Sequence, residues 1–147
     1  MKSLLKLNKL IVLFISLGYL VLAADVYAEH FSRLPESKIV WIPIVFGLIA
    51  GLLGFLIVFL FNKVTYFMFV GLMFISSFVG MAGMYFHNKW RFSIIKECLL
   101  GKPLDLPSFV SFTPLFAPSA FLAMAGLGFL IAYFEPWGFG DEGAVGR

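Results

Sequence analysis

The sequence predicts an all-α integral membrane protein. Its expected architecture is an antiparallel bundle of four transmembrane helices, with one interfacial amphipathic helix between helices 3 and 4. Three observations lead there. Of 147 residues, 61% are hydrophobic and only 13% are charged, where an average soluble domain carries roughly 45–50% and about 25%. Uncharged runs recur along the chain at lengths that suit a bilayer. The eleven Lys and Arg, eight Asp and Glu and two His are too few to cover the surface of a soluble fold of this size. An ordinary soluble enzyme, a disordered chain and a nucleic-acid-binding module are thereby excluded, since the net charge of +3 comes without a basic stripe. Cys98 is the single cysteine, so neither an internal disulfide framework nor a cysteine-rich metal knuckle is available.

A spanning helix needs about 20 mostly apolar residues to cross a hydrocarbon core roughly 30 Å thick. The first span is expected over residues 10–28: Leu10 to Ala24 carries no charge, and the helix continues past Asp25 to about Ala28. The same region has the grammar of a secretory signal peptide, with a basic start, an apolar stretch and a Val26-Tyr27-Ala28 cleavage-like site. We read it as an uncleaved anchor. Ile39 to Phe61 and Val64 to Phe86 are 23 residues each without a charge, and only Asn62 and Lys63 separate them, so a tight helical hairpin is expected. The fourth span is expected over 114–134, where Pro114 can occupy a first turn that needs no N–H.

Sidedness is balanced. With the N-terminus inside, five positive residues are cytoplasmic (Lys2, Lys6, Lys9, Lys63, Arg147) and six are outside (Arg33, Lys38, Lys89, Arg91, Lys96, Lys102). The lysine-rich flank of the first helix favours cytoplasmic N- and C-termini, in an inner or plasma membrane. Trp41 and Trp90 are expected at one membrane face, with Tyr66, Tyr133 and Trp137 at the other.

Lipid removes most of the hydrophobic drive between helices, so close approach must come from small residues. Gly47, Ala50, Gly51 and Gly54 follow i, i+3, i+4, i+7 spacing and make one groove on the second helix. Ser76, Gly80 and Gly83 are expected to do the same on the third helix, and Ser119, Ala123 and Gly126 on the fourth. No Asp, Glu, Lys, Arg or His lies in the middle of a span, which counts against a pump or ion-coupled carrier.

Polar chemistry collects instead at one end. Asp25, Glu29 and His30 close the first helix and His87 closes the third, so both histidines face one leaflet. His87 continues the series of Ser76, Gly80 and Gly83, which turns it toward the bundle. Paired imidazoles can ligate a haem iron, and Glu29, His30 and His87 are the available set for a transition metal such as zinc or copper. The competing expectation is an interfacial hydrogen bond from Glu29 to His87 or Arg91. Residues 89–100 read as the amphipathic helix. Trp90, Ile94, Ile95, Cys98 and Leu99 form its apolar face, Lys89, Arg91, Ser93, Lys96 and Glu97 its wet face, and Gly101 and Pro103 its stop.

Motifs of nucleotide, phosphoryl or acyl chemistry are absent from the sequence. Nineteen phenylalanines suit lipid contact and helix packing, with a flat partner such as quinone, haem or pigment as the functional version. The expected role is therefore a non-catalytic accessory or structural subunit of a larger membrane complex. Its expected partners are the lipid bilayer and either other membrane-protein subunits or further copies of itself, not nucleic acid. A redox module holding haem, a metal or a quinone at His30 and His87 is the alternative, and a small-molecule or lipid transporter a weaker one.

Overall fold

The computed structural model describes residues 2–60, 62–104, 106 and 118–134. Four α-helices appear among them, and no strand: α1 Lys2–His30, α2 Trp41–Phe59, α3 Lys63–Leu99 and α4 Ser119–Phe134. Short 3-10 turns at Phe31–Arg33 and Lys38–Val40 join α1 to α2. The first three helices are each long and apolar enough to cross a membrane. Within the described residues α4 is shorter, at 16 residues. Residues 107–117, which include most of the expected proline-bearing start of the fourth span, lie outside them.

The helices pair as α1 with α2 and as α3 with α4. Gly47, Ala50, Gly51 and Gly54 all lie on the buried face of α2. A Cβ at Gly47 would stand 3.0 Å from the Tyr19 carbonyl oxygen and 3.4 Å from Ala23 Cα, so here α1 and α2 meet backbone to backbone. At Gly51 a Cβ would come within 3.0 Å of the Ser16 carbonyl oxygen, and at Gly54 it would meet the Ser16 side chain. The Ser16 hydroxyl donates to Val12 O at 2.6 Å, which satisfies it within its own helix. The hairpin joining α2 to α3 is closed by a reciprocal cap. Asn62 Oδ1 accepts from Val64 N (2.9 Å) and Thr65 N (3.1 Å), while Asn62 N donates to Thr65 Oγ1 (2.9 Å). Those bonds satisfy N–H groups that a helix start leaves orphaned.

The third helix corrects one expectation. No break separates a span at 64–86 from an interfacial helix at 89–100, because α3 runs unbroken through Lys63–Leu99, 37 residues. At 1.5 Å per residue it is about 55 Å long, well beyond a hydrocarbon core of roughly 30 Å. Nothing at 86–89 stops it: there is no Gly or Pro, and each further residue adds a backbone hydrogen bond to a helix already nucleated. Asn88 Nδ2 even donates back to Met84 O at 2.8 Å. The stop comes at Gly101, with φ +88°, whose N–H donates to Cys98 O at 3.0 Å while Lys102 N donates to Glu97 O at 3.1 Å.

The fourth helix supplies a second correction. Ala123 and Gly126 are exposed, nothing lies within 4 Å of a Cβ at Gly126, and Ser119 is only half-buried. Phe121, Ala125, Gly128 and Ala132 face inward instead, with Gly128 seated against Met73. Both series share helical spacing and both contain small residues, so periodicity alone does not choose between them. On α3, Ser76 and Gly80 are buried and Gly83 is half-buried, with Leu122 and Pro118 of the opposing segment over the two glycines.

All four helices converge on Tyr19, which is 1% exposed. Its ring meets Phe46 of α2 edge-on (5.8 Å between centroids) and Phe121 of α4 at a tilt (6.0 Å). Its hydroxyl donates to Ser76 Oγ on α3 at 2.7 Å, and that hydroxyl donates onward to Phe121 O at 3.0 Å. A second tie, Tyr66 OH to Ala132 O at 3.2 Å, joins α3 to the far end of α4. Outside, the pattern inverts. Phe14, Leu52, Phe59, Phe67 and Phe74 are all exposed, so each long helix turns bulky apolar side chains away from the core.

Two stability comparisons follow from this packing. Gly47→Ala should destabilise the detergent-solubilised protein by about 1–3 kcal/mol, because α1 cannot yield without moving backbone. Gly126→Ala should be neutral or stabilise by up to about 1 kcal/mol. Equal effects in thermal unfolding followed by circular dichroism would refute the backbone contact. In the relay, Tyr19→Phe leaves Ser76 its acceptor and should cost about 0.6–1.7 kcal/mol. Ser76→Ala leaves the buried tyrosine hydroxyl only the weak thioether acceptor of Met73 at 3.8 Å and should cost more, about 1–3 kcal/mol. The reverse order would exclude the assigned direction of the relay.

Candidate functional site

The polar residues singled out in the sequence lie at the end of the bundle where α1 stops and α3 leaves the other helices. His30 is the last residue of α1, and its Nδ1 lies 3.1 Å from Val26 O. A carbonyl only accepts, so Nδ1 carries the proton and Nε2 is the lone-pair nitrogen of the neutral ring. His87 sits on α3 one turn beyond Gly83, half-buried. The two rings touch edge to face, with centroids 5.6 Å apart. His87 Nδ1 is sealed from solvent and has no hydrogen-bond partner. Leaving a buried imidazole nitrogen unpaired costs about 1–3 kcal/mol, so this end is less fully satisfied than the Tyr19 core.

Positive charge surrounds the pair. Arg33, in the 3-10 turn after α1, and Arg91, one turn past His87, both stand near enough for their charge to act on the His87 ring. Arg91 is a further correction. Expected on a water-facing side, it is 3% exposed. Its Nη1 donates to Asn88 Oδ1 at 2.8 Å and its guanidinium lies 4.5 Å from the centroid of the Trp90 ring. The aliphatic stem and planar head of arginine suit such burial, and one of its donors is engaged within its own helix.

The carboxylates are elsewhere. Glu29 and Asp25 are exposed on α1. Consecutive helical residues differ by about 100°, so turning His30 toward α3 turns Glu29 away. Among the described residues no three His, Cys, Asp or Glu side chains gather where a metal ion could be held, so Glu29, His30 and His87 do not form the expected set. Nor is a bond from Glu29 to His87 present. Cys98, expected on a buried apolar face, is exposed, as are Ile95 and Leu99, while Trp90 and Ile94 are half-buried. Without a bend after His87 the helix continues straight, and its last turn, from Ile95 on, is exposed among the described residues. Trp41 is exposed and donates from Nε1 to Leu34 O at 3.3 Å, which pins the loop between α1 and α2. Trp137 lies outside the described residues.

Comparison with known protein families, curated proteins and solved structures finds no match. Among the described residues the protein is all-helical, with three helices of membrane-spanning length and apolarity.

The His30 bond gives a direct check. In selectively 15N-labelled protein at neutral pH, the imidazole shifts should report Nδ1 as the protonated nitrogen of His30. A neutral Nε2–H form would rule out the Val26 contact.

Proposed function

We propose that the chain is an integral membrane protein that crosses the bilayer four times and serves as a non-catalytic accessory or structural subunit of a larger membrane assembly. The observation that supports this most is the division between inside and outside. The core is drawn together by glycine-to-backbone contacts and an inter-helix hydroxyl relay, while large apolar side chains point outward from every long helix. Such surface requires lipid or other membrane helices to cover it. The fourth crossing proposed here is the segment 114–134, of which Ser119–Phe134 is the described helix and 114–117 lie outside the described residues. An even number of crossings puts both termini on one side. The lysine-rich start of α1 favours the cytoplasm, in an inner or plasma membrane.

The ring contact between His30 and His87 supports a second reading, a cofactor-binding redox module in which the imidazoles ligate a haem iron or a transition metal. The charges of Arg33 and Arg91 weigh against it, because they raise the cost of placing another cation there.

The protein should remain in membranes through alkaline carbonate washing, and exposed Cys98 should react with a membrane-impermeant maleimide from the outer side only. Release by carbonate would overturn the membrane assignment. Labelling from the cytoplasmic side would invert the orientation. In mild detergent the chain should run in a complex larger than its own mass. A solitary monomer would sink the subunit reading, and a reduced-minus-oxidised haem spectrum lost in His87→Ala would replace it with the redox module.

A further inference from the structure

An apolar seam runs along the outer side of α3. Phe74, Phe78, Met81 and Tyr85 are all exposed, at alternating steps of four and three residues. Past buried Asn88 the same register continues in exposed Phe92, Ile95 and Leu99. A repeat averaging 3.5 residues is the one that keeps a second helix in contact along the whole seam. The flank of the seam changes character while the seam does not. Exposed Met68, Ile75 and Ala82 line one edge of the first part, and exposed Lys89 and Lys96 continue the same seven-residue series in the last.

On the membrane reading proposed above, lipid covers only the first part. Phe92, Ile95 and Leu99 lie about 44, 48 and 54 Å along the axis from Lys63, at and beyond the roughly 40–45 Å of a bilayer with its headgroups. Phe92 is nevertheless 56% exposed and Leu99 83%. Acyl chains do not reach that height, so burying these side chains takes protein. The lysines narrow the choice of protein. Glu97, the one acidic residue of α3, lies about 160° around the helix from Leu99 and pairs with Lys102 at 3.5 Å. A second copy in the same bilayer would run parallel and bring lysines to the seam edge, with no carboxylate from α3 to meet them. A helix that carries an apolar stripe and acidic residues beside it satisfies both the seam and its edge.

We propose that Phe92, Ile95 and Leu99, with Lys89 and Lys96 along one edge, form the docking face for an acidic amphipathic helix of another subunit of the membrane assembly. This rests on the subunit reading given above and names the chemistry of the partner.

The test begins with the full chain in phosphatidylcholine nanodiscs, titrated with two synthetic three-heptad peptides and with empty nanodiscs as the blank. Both peptides carry leucine at the seam positions; one is flanked by glutamate and the other by lysine. The glutamate peptide should bind roughly fivefold more tightly than the lysine peptide. Lys89→Gln combined with Lys96→Gln should remove that preference, and Leu99→Ser should weaken glutamate-peptide binding roughly tenfold. Lys63→Gln, at the opposite end of α3, should change neither. All these side chains are exposed, and circular dichroism confirms the fold of each variant. In native membranes, a photo-cross-linking residue then replaces Phe92, Ile95 or Leu99 in turn, with Ser93 and Glu97 on the other side as controls. Adducts should form from the first three and not from the controls, should fade in the double lysine variant, and should hold a carboxylate-bearing helix of a different membrane protein. An adduct of twice the chain's own mass would identify a second copy, and a cross-link within one chain would identify its own polypeptide as the cover; either overturns the proposal. Equal binding of the two peptides, or equal adducts from the controls, would overturn it as well. A complex in mild detergent that persists without seam adducts would sink this face and leave the subunit reading standing, whereas a solitary monomer would sink both.

Discussion

The hydroxyl of Tyr19 is the constraint to which the rest of the bundle adjusts. A phenol buried to 1% exposure must find an acceptor, because leaving its hydroxyl unpaired would cost about 1–3 kcal/mol. It finds Ser76 on α3, and Ser76 in turn uses the carbonyl of Phe121 on α4. The ring of the same tyrosine packs against Phe46 of α2. Rotating α1 by one residue, about 100°, would remove the hydroxyl from Ser76 and turn the Gly47–Gly51–Gly54 groove toward bulkier side chains. The apolar contacts therefore set how closely the helices approach, and the relay sets their rotation and depth.

What the sequence made legible depended on whether one physical rule was acting alone. The groove on α2 could be read directly, since a row of small residues at helical spacing makes a packing face whichever neighbour fills it. The neighbour itself could not be read. Asn62 and Lys63 make α2 and α3 consecutive, yet α2 packs mainly on α1 and α3 on α4. On α4 two small-residue series competed, and the aromatic contacts of Phe121 with Tyr19 and Phe46 decided for the second. The false break in α3 arose because charge begins at Lys89. Charge marks where solvent begins, whereas a helix ends where its hydrogen-bond ladder does. Tyr19 was passed over although a signal was present, since a polar aromatic in the middle of an apolar span must have a partner.

At the polar end, helical phase was enough to place both histidines at one end of the bundle and His87 toward it, but the charges around them were misassigned. Arg91 was expected in water and the carboxylate Glu29 beside the imidazoles. Instead the guanidinium is buried over Trp90, and Glu29 faces away. Asn88 takes part in the exchange: its amide donates to Met84 O and accepts from Arg91 Nη1. An amide that uses both of its ends within one helix face has no distinctive sequence pattern, which is why composition and spacing alone missed it.

The uninterrupted course of α3 also has a mechanical consequence. A single helix of about 55 Å is a stiff rod, with its fulcrum where Ser76 is held by Tyr19 and Phe121. The projecting tip at Leu99 stands about 35 Å from that fulcrum, so a change in tilt of roughly 10° carries it about 6 Å. Displacements too small to be felt as repacking in the core are thus magnified at the tip.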